Sequence, residues 1–200
     1  MQICVILTRA QDSPGTCPSQ NGDNQFMGVL FIEESLAVLT RTPATLDALL
    51  RGLPEVWTTA TEGPGTWSPY IVIGHLIHCE KVDWMERVGV ILKDGPQWPF
   101  TPVDREAQLN GDSAAPLAAL LDEFAALRRE NLDRLRDLNL QPADLEREGT
   151  HPAFGRVTLR QLLATWTAHD LAHILQISRV MARRYKQEVG PWAEYLSVME

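Results

Sequence analysis

The sequence predicts an all-α domain, a four-helix bundle with long loop connections. Three features of the chain lead there. Apolar residues recur at three- and four-residue spacing through four separate stretches, the signature of amphipathic helices. Two of those stretches open on side chains suited to capping a helix N-terminus, Ser68 before Pro69 and Thr158 before Gln161. No segment alternates apolar and polar residues long enough to prefer a strand. The length suits one domain that buries its own core.

Residues 1–26 stand apart. Beyond the short apolar run Ile3-Cys4-Val5-Ile6-Leu7 comes a turn-rich stretch holding Pro14, Gly15, Pro18 and Gly22, with almost no core pattern. These residues are expected to form a flexible N-terminal extension, with Met27 as a candidate natural start and 27–200 as the bundle domain. The first helix is expected over Leu30 to Arg51. Thr42-Pro43 inside it marks a kink or a fresh start, and Gly52 and Pro54 close it. The second begins at Ser68-Pro69, where Trp67 and Val72 are spaced for a hydrophobic staple, and runs to about Leu92. Its first turns, Ile71-Val72-Ile73-Gly74-His75-Leu76-Ile77, are apolar almost all round, which predicts a buried helix.

From Lys93 to Asp112 the chain holds Gly95, Pro96, Pro99 and Pro102, a long connection of the kind that often carries function. The third helix is expected from near Ser113. It turns Leu117, Leu120, Phe124, Leu127, Leu135 and Leu138 to one side, and Arg129, Asp133 and Arg136 to the solvated other. The fourth opens on the capping box of Thr158 and Gln161 and continues to about Gln187.

A net charge of −8 argues against a sequence-independent grip on nucleic acid and against an anionic membrane surface. No apolar run reaches the length of a bilayer span. The run at Ile3 is too short for a signal-peptide core, and its nearest basic residue, Arg9, follows it. Cys4, Cys17 and Cys79 give no disulfide framework, so a reduced, cytoplasmic setting is expected.

The chemistry concentrates in Ala168-His169-Asp170-Leu171-Ala172-His173. Residues four apart on a helix lie one above the other, so the two imidazoles can reach one point in space. Imidazole is a common ligand for zinc and nickel. Both His fall within an apolar stripe that runs through Leu162, Trp166, Ile177 and Val180. Two buried core histidines, each hydrogen-bonded, would also fit that stripe. A shared metal satisfies both at once. His75, on the buried second helix, is the candidate third ligand. Cys79, one turn on, is an alternative ligand or a small buried residue, and His78 could face either way. His151 lies in the loop before the fourth helix, either as a packing residue or as a wall or proton-transfer group over the site.

The motifs Thr66-Trp67-Ser68-Pro69 and Gly74-His75, then Val157-Thr158-Leu159, Leu162-Leu163, His169-Asp170, His173 and Gln176-Ile177, resemble the DinB superfamily of damage-inducible proteins over about residues 30–188. The resemblance implies a DinB-like four-helix bundle, often a homodimer, holding a divalent metal between the second and fourth helices. Carried across, the ligands are His75, His169 and His173. The resemblance also implies chemistry on a small-molecule substrate, including thiol-dependent S-transfer that uses a low-molecular-weight thiol as co-substrate.

Other readings compete. His169-Asp170-Leu171-Ala172-His173 is one methylene short of the His-Glu-x-x-His metalloprotease motif. Asp170, however, points about 100° from His169 around the helix. A metal-dependent hydrolase and a non-enzymatic metal-binding dimer remain alternatives. Three protein ligands favour catalysis, because structural zinc sites are usually closed with four. Glu80 and Glu86 are candidate supports for the site, although exposed positions are commoner for helical Glu. Metal binding is expected to weaken below about pH 6, because each imidazole must be neutral to coordinate.

Overall fold

A computed structural model describes residues 20–104 and 115–199. Four long helical arms make the body: α1 (Gln20–Leu50), the pair α3 (Pro69–Val82) and α4 (Trp84–Lys93), α5 (Leu117–Asp137) and α6 (Leu159–Arg183). A single turn, α2 (Glu55–Thr58), lies in the connection between the first two arms. Helix α1 packs on α5 and α6, and α3 also packs on α5 and α6. Consecutive arms α1 and α3 therefore stand on a diagonal, and α3 and α6 become neighbours. Among the described residues, no helix is long and apolar enough to cross a membrane.

The helix ends follow local chemistry. The Ser68 hydroxyl accepts from Ile71 N at 3.3 Å, and Pro69 fills the first helical position, where its missing N–H costs nothing. Thr158 and Gln161 close the expected capping box in both directions, at 3.2 and 2.9 Å. Gly52, at φ 78°, takes the left-handed conformation that ends α1.

Four expectations are corrected. Helix α1 starts at Gln20, ten residues ahead of Leu30, and runs unbroken through Pro43. The expected second helix divides at Asp83, whose φ −114° and ψ −75° depart from regular helix, so α3 ends at Val82 and α4 begins at Trp84. Helix α6 ends at Arg183, ahead of Gln187. Last, an antiparallel hairpin, β1 (Glu148–His151) with β2 (Gly155–Thr158), precedes α6. Its four-residue strands are too short for an alternating pattern to register. The expected extension over residues 1–26 lies outside the described residues through position 19, and so does the expected start of the third helix at Ser113.

The hairpin is fixed over α4 by the chain that follows it. Phe100 N donates to Thr150 O at 2.9 Å, and the buried Phe100 ring lies where a Cβ on residue 149 would meet it at 2.6 Å. Only glycine fits at Gly149.

The core has two apolar bodies. One gathers Trp84, Leu132, Leu145, Leu163 and Trp166 about Leu39, and the other gathers Leu46, Ile73, Leu76, Phe124 and Ile177. Between them lies a buried polar layer of Glu80, Arg128, Asn131 and Asp170. Arg128 Nε and Nη2 donate to Glu80 Oε1 at 3.1 and 2.8 Å. Nη1 and Nη2 grip Asp170 at 2.5 and 3.0 Å. The fifth donor reaches Leu39 O on α1 at 3.0 Å. That carbonyl needs it, because its helical partner would be residue 43, and Pro43 has no N–H. Asn131 Nδ2 completes the layer, donating to Glu80 Oε2 at 3.0 Å and to Glu80 O at 2.8 Å. The guanidinium lies over the rings of Phe124 and Trp166, at 5.0 and 5.3 Å, which joins the two apolar bodies. Burial works against its charge. The hydrogen bond to Asp170 and the charges of both carboxylates outweigh that, holding its pKa above the ordinary arginine value.

Removing one partner of such a layer strands the others. Arg128→Met is expected to destabilise the fold by roughly 3–5 kcal/mol, read by urea denaturation, because two carboxylates would stay buried without a cation. A loss below about 1 kcal/mol, the value of an exposed pair, would show that the layer contributes no more than surface charge.

Candidate metal centre

His75 leaves the middle of α3, and His169 and His173 leave α6 one turn apart. Their Nε2 atoms converge. His75 and His169 approach to 3.2 Å, and His169 and His173 to 3.1 Å. The three candidate ligand atoms all lie within 4.8 Å of one another. The structure therefore brings together the three residues that the sequence singled out.

Aromatic rings hold the imidazoles in place. Trp67, next to the Ser68 cap, stacks along His173 with its centroid at 6.4 Å and tilts against His75 at 4.9 Å. Trp84 presents an edge to His169 at 5.1 Å and stacks on Trp166 at 5.5 Å. His173 Nδ1 meets the Gln176 side-chain oxygen at 2.8 Å. An amide oxygen only accepts, so Nδ1 carries the proton and Nε2 keeps its lone pair. Burial lowers the His173 pKa, partly offset by Gln176 and by the charge of Asp170, which favours the neutral, ligating form.

This donor set fits a divalent cation. His169 Nε2 lies within hydrogen-bond distance of both other Nε2 atoms yet can carry one proton. With His173 Nε2 reduced to a lone pair, hydrogen bonding alone satisfies one of the two contacts. A cation among three lone pairs satisfies all three, and three imidazoles leave further coordination positions open.

The triad lines a cavity of about 510 Å³. Cys79 and, further along, Asp83 and Arg87 continue its wall, with Phe100, His151 and Phe154 on the loop and hairpin side. Asp83 and Arg87 form an ion pair at 2.5 Å.

The remaining candidate residues divide. Cys79 is buried, with Sγ at 3.5 Å from His75 Nε2, and burial first, then the charges of Asp83 and Glu80, pushes its pKa up to about 12. It is not one of the mutually close donors. His78 lies outside that cluster too. His151 stands in the cavity wall, stacked on Phe154 at 4.4 Å. Its Nδ1 accepts from Ala153 N and Phe154 N, at 3.1 and 3.2 Å. Asp170, which the sequence already turned about 100° from His169, has a structural place. It occupies the centre of the buried α6 stripe, held by Arg128, and does not line the cavity. The two ligand candidates flank that stripe, half-buried. Glu80 is likewise buried in the Arg128 layer, whereas Glu86 is exposed.

The sequence reading missed Asp83, Arg87, Arg128 and Asn131, and gave Gln176 no role. One signal was present: His75, Cys79, Asp83 and Arg87 recur every four residues.

A helical bundle that presents three imidazoles from two neighbouring helices to one cavity defines a class of candidate metal-binding bundles. The DinB superfamily matches residues 39–177, and the chain belongs to that superfamily. No curated protein sequence matches the chain. Among solved structures it is similar to YfiT from Bacillus subtilis, with a TM-score of 0.66 and 20% identity over 87% of this chain and 94% of that one. That protein is described as a probable metal-dependent hydrolase with an unusual four-helix bundle topology. At this identity the likeness establishes the fold.

Gln176 touches the triad at His173 without joining it. Gln176→Ala is expected to weaken zinc or nickel binding about tenfold or more by freeing the His173 tautomer, with the melting temperature little changed. Competition against a chromogenic chelator measures this, and unaltered affinity would leave Gln176 without that role.

Proposed function

We propose that His75, His169 and His173 hold one divalent ion, zinc or nickel, and that the protein catalyses metal-dependent chemistry on a small molecule in the adjoining cavity. The observation that carries this reading is the convergence of three Nε2 atoms at a cavity large enough for a metabolite. Bound there, the ion would supply Lewis-acid activation of a thiol or water at its open side. The protein's own groups orient the imidazoles, narrow the approach with Trp67 and Trp84, and hold Asp170 out of reach.

Thiol-dependent S-transfer with a low-molecular-weight thiol is the reaction we place first. A hydrolase gains from a carboxylate that accepts a proton from water, and the one adjacent to a ligand in sequence, Asp170, is committed to Arg128. Hydrolysis is the second reading. It is favoured by Asp83, a carboxylate in the cavity wall, and by the description of YfiT.

Elemental analysis should find one divalent ion per chain, lost from His169→Ala and His173→Ala. Undiminished metal in those variants would overturn the ligand assignment. The metal-loaded protein should then consume a thiol against an electrophile. Product release from an ester or amide without thiol would instead establish hydrolysis. No turnover of either class would leave a non-enzymatic bundle.

We also propose a homodimer. Between Arg160 and Arg179 the exposed face of α6 carries Ala164, Ala168, Leu171, Ala172 and Leu175 and no charge. Leu171 is 52% and Leu175 54% exposed. A two-fold contact sets such a face against itself, and alanines allow close approach. Sedimentation should give twice the chain mass, falling to the monomer in Leu171→Glu. A monomer in the unaltered protein would end the idea.

A further inference from the structure

We propose that Arg87 anchors an anionic group of the substrate, so that the cavity takes a small molecule with a carboxylate at one end and a flat apolar body reaching the triad. This rests on the reading of the cavity as the substrate site.

Four side chains at four-residue intervals, His75, Cys79, Asp83 and Arg87, line the cavity along α3 and α4. The triad stands at one end of that row and Arg87 at the other. Helical side chains lean toward the N-terminus, so an arginine at the α4 end extends back along the row. The guanidinium is held from two sides. Its Nε lies 2.5 Å from Asp83 Oδ1, and its Cζ lies 5.3 Å from the centroid of Phe100. Among the described residues, neither Nη atom meets a protein acceptor. The side chain is only 15% exposed, and Nε but neither Nη is fully buried, so a molecule in the cavity can reach the terminal nitrogens.

A guanidinium fixed through Nε, with its terminal nitrogens uncommitted in a cavity wall, suits two-point recognition of a carboxylate. Asp83 offsets the charge but does not use the terminal edge, so recognition would depend on directed hydrogen bonds more than on net charge. The chain as a whole carries −8, so an anion needs a local cation to enter. The remaining wall selects the body of the ligand: Trp67, Trp84, Phe100 and Phe154 offer flat apolar faces.

The test uses the full chain, chelator-treated and zinc-loaded, with 4-fluorobenzoate and its uncharged analogue 4-fluorobenzamide followed by fluorine NMR. The chelated protein should bind the benzoate at least about fivefold more tightly than the amide, as charge-assisted pairing predicts. Arg87→Gln should remove that preference while leaving the amide affinity within about twofold. If Arg87→Gln does not fold, Arg87→Lys decides: it keeps the charge, loses the fork and should reduce the preference. Equal binding of the two probes, binding of neither up to their solubility limits, or an undiminished preference in the Arg87 variant would overturn the proposal. So would a preference seen only with zinc, which would assign the anion to the triad. Because the deciding arm contains no metal, failure of the protein to bind zinc would sink the metal reading and leave this result readable.

Discussion

One guanidinium orders this molecule. Arg128 reaches from α5 into the centre of the bundle and ends on α1, α3 and α6 together, at Leu39 O, Glu80 and Asp170. Its five N–H groups meet five acceptor contacts, which is why a charged side chain can be 1% exposed there. The layer carries two carboxylates against one cation, and Asn131 takes up the acceptor capacity that Arg128 leaves on Glu80. Removing charge from water is expensive, so a layer like this is weak evidence of stability compared with an apolar one. Its value lies in register. Apolar side chains tolerate a sliding or rotated helix, whereas a bidentate grip on Asp170 sets the rotation of α6.

That rotation decides the site. His169, one residue before Asp170, lies about 100° from it around α6. With the carboxylate fixed in the core, His169 must emerge toward α3 and the cavity, and His173 follows it one turn later. The adjacent pair thus splits, Asp170 inward to the polar layer and His169 outward to the cavity. The same division removes the metalloprotease analogy, which needs its acidic residue beside the reacting water. The order of packing matters as much. In a simple up-and-down bundle the second and fourth arms lie on a diagonal, whereas here α3 and α6 are neighbours, which brings His75 within reach of His169.

Much of this was legible in the sequence because the signals were local. Helix caps at Ser68 and Thr158, the His169–His173 spacing and the buried character of the His75 helix all depend on residues within two turns of one another. The polar layer was only half legible: Arg128 falls four residues after Phe124 and seven before Leu135, on the apolar side of its helix and unlike Arg129 or Arg136, but its partners Glu80 and Asp170 lie on other helices. Pro43 was read as a kink or a fresh start. Its actual consequence, an unfilled carbonyl on Leu39, has meaning only once Arg128 arrives from another helix. Asp83 and Arg87 were passed over for a different reason: their four-residue spacing from His75 and Cys79 is visible on the expected helix, but an acidic and a basic residue one turn apart read equally well as a solvated ion pair.

The parts of the site also differ in how firmly they are held. The triad, Trp84 and the polar layer belong to helices packed on both sides, with Trp84 and Trp166 stacked beneath His169. The opposite wall comes from a different kind of structure: Phe100 and Pro102 from the connection after α4, and His151 and Phe154 from a hairpin of four-residue strands. That wall is held by the Phe100–Thr150 backbone bond, by the Thr150 hydroxyl and Arg147, which donate to the Pro96 and Leu92 carbonyls, and by the glycine that admits the Phe100 ring. Ligand geometry at a metal tolerates little error, whereas a substrate wall only has to present a shape. A helical floor under a loop-built wall separates the two demands, since the triad is placed by helix packing while the shape of the cavity opposite it depends on a few residues of the hairpin and its neighbouring loop.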